Sequence, residues 1–209
     1  MFHHSAYGLP LADLDVVAVD DSRAGQVILK TMLEDLGVAR VRIFGSGPAA
    51  LSDMLAEPPN FLITDWQMEP MDGCDLVAAI RHVAYRVLNP LPVLLVTAFA
   101  TRNFVADAVE VGATHILTKP FSAQTLRRRI EWILADDRPL VQRGNRVRIV
   151  GMDKVTGARA AAASAGGDGG RAEVPSMRSQ PVRAPAARAV ASVAPETATP
   201  RAEGDKWEI

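Results

Sequence analysis

Between residues 14 and 135, short apolar runs alternate with segments of helical period, five times over. No other feature restricts the fold as much. Residues 14–19, 41–44, 61–64, 91–96 and 114–117 read as strands, and residues 22–36, 46–57, 74–87, 103–111 and 122–134 as helices. In the first helix Ala24, Val27, Ile28, Met32, Leu33 and Leu36 recur at helical spacing, with Ser22 placed as N-cap and Gly37 as stop. Strands that are apolar throughout, separated by helices, imply a parallel sheet covered on both faces. Five such units make one α/β domain.

The chain changes character beyond that region. Residues 156–202 hold 15 Ala, 5 Gly and 5 Pro, but only five large apolar residues: Val174, Met177, Val182, Val190 and Val193. So little apolar surface does not offset the entropy of ordering, and residues 156–209 are expected to form a disordered tail. The 48% apolar content of the whole chain is therefore inflated by a segment without a core. Residues 136–155 are expected to form a short docked arm, in which Arg146, Val147, Arg148, Ile149 and Val150 alternate like a half-buried strand. Residues 1–13, with His3 and His4, read as a flexible N-terminus.

Charge follows the same division: net -4 over residues 1–135 and +3 over residues 136–209. The balance of -1 argues against a strongly basic nucleic-acid binder. The single cysteine excludes a disulfide framework or a Cys-rich zinc site, and suits the reducing cytoplasm. The longest apolar run, near residues 91–100, is about half the ~20 residues that span a bilayer, and no signal-peptide pattern precedes it.

In an open parallel sheet, ligands bind beyond the carboxyl ends of the strands. Asp20 and Asp21 follow the first strand, Asp65 the third, Thr97 and Ala98 the fourth, and Lys119 and Pro120 the fifth. The first and third strands should be neighbours, which brings three carboxylates into one crevice. Such a cluster calls for a cation, and an all-oxygen set suits Mg²⁺. With Lys119 as a fixed positive charge and Thr97 as a hydroxyl donor, the set suits a phosphoryl group carried on an aspartate. Any one of these residues alone would be a cap or a turn; their coincidence at four of five strand ends is what carries weight.

Four stretches then resemble the receiver domain of two-component response regulators. They are Val17-Ala18-Val19-Asp20-Asp21-Ser22, the run from Leu62 to Gly73, Leu94-Leu95-Val96-Thr97-Ala98, and Gly112 through to Thr118-Lys119-Pro120-Phe121. The resemblance spans residues 14–135. It implies a flavodoxin-like doubly wound sheet of order 2-1-3-4-5 with five helices. By the resemblance Asp65 is the phosphoacceptor, Asp20 and Asp21 hold Mg²⁺ with Asp65 and the backbone carbonyl of Gln67, Lys119 grips the phosphoryl group, and Thr97 is the switch hydroxyl. Pro120 is expected after a cis peptide. A histidine kinase or histidine phosphotransfer protein is the implied donor, and an unidentified protein the target of a monomer or homodimer.

One position departs from the family. Three residues before Lys119, where Tyr or Phe is usual, stands Ile116, with His115 beside it. A stiff β-branched residue supplies no swinging ring, which leaves activation to Thr97 alone or with His115. The expected protein is a stand-alone receiver acting through partners, not an enzyme. A phosphate sink or shuttle is the first alternative. A tail-mediated nucleic-acid regulator is another, with scattered arginines as its only support. An aspartate-nucleophile phosphatase is disfavoured, because Gln67 stands where a second acid would. Cys74 opens a helix and reads as a packed small residue, Arg127–Arg129 lie toward the end of the last helix, and Trp207 is a candidate docking residue.

Overall fold

The computed structural model describes residues 3–99 and 101–149. Five parallel strands, β1 (Asp15–Val19), β2 (Arg40–Phe44), β3 (Phe61–Asp65), β4 (Val93–Thr97) and β5 (His115–Thr118), form one sheet in the order β2-β1-β3-β4-β5. The helices between and after them are α1 (Arg23–Asp35), α2 (Gly47–Ala56), α3 (Gly73–Ile80), α4 (Arg102–Val111) and α5 (Ala123–Leu134). This is the doubly wound order expected. Among the described residues no helix is long and apolar enough to cross a membrane.

The alternation of side chains along each strand builds two cores. Val16, Ala18, Ile63, Leu94, Val96 and Leu117 point to one face, where Leu29 and Leu33 of α1 and Leu126, Ile130 and Ile133 of α5 cover them. Val17, Val19, Leu62, Val93 and Leu95 point to the other, against Met54 of α2, Leu76, Val77 and Ile80 of α3, and Phe104 and Ala108 of α4. The predicted cap and stop are in place: the Ser22 hydroxyl accepts from Gly25 N, and Gly37 follows α1 at φ +79°, as Gly112 follows α4 at φ +99°.

The strands are not all apolar. Arg42 sits in the middle of β2, which is an edge strand with only partly buried side chains. Its guanidinium donates to both Asp15 oxygens, at 3.1 and 3.0 Å, and also pairs with Asp53 of α2. The charge is tolerated because two carboxylates meet it at the sheet edge.

The helix expected over residues 74–87 ends at Ile80. Beyond it the backbone finds other partners. The Arg81 carbonyl accepts from Val147 N at 3.0 Å, and Val83 N donates to Asn145 O at 2.9 Å. Those partners belong to a β-hairpin, β6 (Leu140–Arg143) and β7 (Arg146–Ile149), where a single half-buried strand was expected. His82 and Arg146 form a bridge between the two segments. The expected last two turns of helix thus give way to a segment that docks on the hairpin. Residue 150 onward, including the segment read as a tail and Trp207, lies outside the described residues.

The N-terminal stretch, read from sequence as flexible, is docked from residue 3 on. Ala6 is fully buried, and the His4 ring, 4% exposed, donates from Nε2 to the Ile133 carbonyl at 2.8 Å. Ser5 N donates to Pro90 O and Gly8 N to Leu134 O. Burial of His4 and Ala6 against the end of α5 outweighs the entropy of ordering so short a segment.

Arg127–Arg129 occupy the middle of α5, and no basic residue lies in its last turn. Arg127 pairs with Glu131 one turn on, and the Arg129 guanidinium lies 5.1 Å from the ring centre of exposed Trp132.

Candidate functional site

Because β1 and β3 pair in register Val19 with Thr64, the residues that follow them, Asp20 and Asp65, emerge side by side. Lys119 arrives from the end of β5, where its backbone N donates to Thr97 O at 2.7 Å. The Lys119 ammonium donates to Asp20 Oδ2 and to Asp65 Oδ2, both at 3.0 Å. Asp21 stands exposed at the rim, and one oxygen from each of Asp20, Asp21 and Asp65 lies within 4.8 Å of the others. The Lys119–Pro120 peptide is cis, as expected.

Backbone amides hold the carboxylates in place. Ser22 N donates to Asp20 Oδ1 and Trp66 N to Asp65 Oδ1, each at 2.9 Å. Asp20 is 1% exposed. Burial pushes the Asp65 carboxyl above its ordinary value, against the hydrogen bond and charge of Lys119, and the charge of Asp20 pushes in the same direction as burial. Burial also works against the charge on Lys119, but its hydrogen bonds to Asp20 and Asp65 prevail and hold it above the ordinary lysine value. A carboxylate cluster that one ammonium leaves under-compensated has room for a hard divalent cation. The all-oxygen donor set fits such an ion.

Two contacts at this site carry no motif signal in the sequence. A β-carbon on Gly25 would fall 2.3 Å from Asp20 Oδ2, so α1 approaches β1 this closely only because residue 25 has no side chain. Gln26 is the next residue of α1, and its Nε2 donates to the Asp20 carbonyl at 2.8 Å. In a sequence, a glycine inside a helix reads only as a weak point.

Thr97 ends β4 at 2% exposure, close to the site but engaged elsewhere. Its Oγ1 accepts from Phe99 N at 3.0 Å and donates to Phe99 O at 3.3 Å. Gln67 is exposed and lines a neighbouring cleft of about 280 Å³ with Trp66, Thr97, Phe99, Phe104 and Asp107. The Trp66 and Phe104 rings meet edge to face with centroids 4.4 Å apart. Ile116 packs against the same core as Phe104, while His115 is half-buried within β5. Burial, with the charges of Arg129 and Arg138, lowers the His115 pKa. Cys74 is pushed up to about 12 by burial first and by nearby carboxylates second, so it is no activated thiol.

The site is thus a doubly wound sheet whose strand ends gather three carboxylates and a lysine, with the Thr97 hydroxyl turned to Phe99. The pattern described as "Response regulator receiver domain" matches residues 16–131. The chain belongs to the response regulator receiver family of two-component signalling. It is 38% identical over 120 residues to the chemotaxis protein CheY of Pseudomonas aeruginosa, an alignment covering 57% of this chain and 95% of that protein. It is 35% identical over 121 residues to chemotaxis protein CheY-3 of Vibrio cholerae, covering 58% of this chain and 92% of the other. Among solved structures, Vibrio cholerae CheY4 superposes with a TM-score of 0.55 at 28% identity, covering 59% of this chain and 100% of that one. The hairpin β6–β7 lies beyond the matched residues.

Proposed function

We propose that Asp65 accepts a phosphoryl group from a phosphohistidine on a sensor kinase or phosphotransfer protein. The observation that carries this reading is the Lys119 ammonium, 3.0 Å from both Asp20 and Asp65 at the mouth of the site. An Asp65 oxygen forms the new P–O bond as the P–N bond to the donor imidazole breaks, and the donor nitrogen takes up a proton. Lys119 offsets charge that builds on the phosphoryl oxygens. Asp20, Asp21, Asp65 and the Gln67 carbonyl would hold Mg²⁺, which when bound supplies further neutralisation of those oxygens. The Thr97 hydroxyl then leaves Phe99 to donate to a phosphoryl oxygen. Exposed Ile28 on α1, which lines the same mouth as Asp20 and Lys119, offers a donor an apolar contact.

Output runs through partner binding in the cytoplasm, as a single-domain regulator. Within the 209 residues, the segment after the hairpin has too few large apolar side chains for a second core. The test is incubation with acetyl phosphate and Mg²⁺, followed by intact-mass measurement of the native chain and of Asp65→Asn. A phosphate-sized gain in the native chain alone is expected; a gain that survives in Asp65→Asn sinks the assignment.

The phosphate sink is favoured by one observation, that Ile116 brings no aromatic ring to β5. Rapid return of the phosphoryl group to the donor, with no partner bound more tightly by the phosphorylated form, would select it.

A further inference from the structure

Phe99 is 68% exposed, the most exposed large apolar side chain among the described residues. Its backbone is held by one atom: Thr97 Oγ1 accepts from Phe99 N and donates to Phe99 O. Beside it opens the cleft of about 280 Å³ whose apolar wall is the Trp66–Phe104 pair. An apolar cavity of ~150 Å³ holds a benzene molecule, so a phenyl ring fits. Trp66 follows Asp65 directly, and Phe104 lies on α4, where its N donates to the Thr101 hydroxyl that caps the helix.

We infer that Phe99 is a phosphorylation-controlled aromatic latch. In the resting protein Thr97 pins the Phe99 peptide and keeps the ring in water. A hydroxyl has one proton. When a phosphoryl oxygen takes it, Phe99 O loses its donor, and as Oγ1 turns toward the site Phe99 N loses its acceptor. The freed residue drops its ring into the cleft, against Trp66 and Phe104. Burial of the exposed ring drives the closure. The event at Asp65 thereby reaches the start of α4 without a ring on β5, where Ile116 stands. This inference rests on the proposed role of Thr97 as the phosphoryl-seeking hydroxyl, and it supplies what that movement does.

The experiment uses the full chain with Trp132→Phe and Trp207→Phe, which leaves Trp66 as the sole emitter of the chain's three tryptophans. Thr97→Val removes the pin without any phosphoryl group. Its Trp66 emission should shift to shorter wavelength and lose access to acrylamide, and Thr97→Val/Phe99→Ser should lose both effects. Thr97→Ser, which keeps the hydroxyl, should match the parent. Identical quenching in parent and Thr97→Val, or a shift that survives Phe99→Ser, overturns the latch. In a second arm the parent is given Mg²⁺ and beryllofluoride, with fluorine NMR reporting the bound anion. Bound anion with a Trp66 shift supports the latch, and bound anion without one overturns it. Failure of the anion to bind overturns the role of Asp65 instead, and the Thr97→Val arm still decides the latch.

Discussion

The α-carbon of Gly73 is pressed against the backbone carbonyl of Asp65: a β-carbon there would stand 2.1 Å from that oxygen. Gly73 N also donates to Trp66 O at 2.9 Å, which closes the loop that carries Gln67. Gly73→Ala must therefore displace Asp65 itself. Overpacking of this kind costs about 1–3 kcal/mol. Denaturant unfolding should record that loss, and phosphorylation by acetyl phosphate should slow in the same variant.

With Mg²⁺ held as proposed, the ion should raise the thermal midpoint of the native chain by mass action, because only the folded chain assembles the three carboxylates. Asp21→Asn should remove most of the increase while leaving the midpoint without metal close to native, since Asp21 is exposed at the rim. A metal-dependent increase that persists in both Asp21→Asn and Asp65→Asn would mean that the ion binds elsewhere.

Burial lowers the His4 pKa below 6.5, helped by the charges of Arg81 and His3 and opposed by the Ile133 carbonyl and Asp136. A histidine whose folded value is depressed binds its proton more readily when unfolded. Its stabilising contribution is complete above pH 6.5 and fades as pH falls through the folded value. The chain should thus lose stability on mild acidification. His4→Gln, whose amide can still donate to Ile133 O, should flatten that dependence in a series of thermal melts. His115, also lowered by burial, acts with the same sign, so a double His4→Gln/His115→Gln chain should be flatter still.

Truncation separates the hairpin from the family domain. A chain ending at Ala135 loses the partners of the Arg81 carbonyl and Val83 N, whereas one ending at Ile149 keeps them. Two hydrogen bonds at about 1 kcal/mol each, plus the packing of β6–β7, predict a deficit of about 1–3 kcal/mol for the shorter chain. Denaturant midpoints of the two truncations should show it, and equal midpoints would assign the hairpin no part in stability.

The five-fold alternation was readable because the three central strands bury both faces and each helix only one. Asp20, Asp21, Asp65, Thr97 and Lys119 were readable because strand ends of a parallel sheet converge. What escaped was fixed by contacts remote in the chain. Residues 82–87 suit a helix by composition, and only the Val147 amide, far downstream, decides that the Arg81 carbonyl goes elsewhere. His4 and Ala6 are two isolated residues without period, so their burial against α5 left no pattern to read. Gly25 had no signal because its role is a missing side chain beside Asp20.

Arg81 is 1% exposed and meets no carboxylate among the described residues. Its Nε donates to Gly112 O at the end of α4, and its Nη1 to Asn89 O and Leu91 O ahead of β4. Desolvation alone lowers its pKa to about 10, so it keeps its charge at neutral pH. With the hairpin on its carbonyl and the N-terminal segment nearby, it ties together the entry rim of the sheet. Asp65, Thr97 and Lys119 stand at the exit rim. The clamp and the carboxylate cluster thus occupy opposite ends of the central strands. A substitution that loosens the Arg81 clamp should cost stability while leaving the carboxylate cluster in place, whereas Gly73→Ala at the other rim should disturb both.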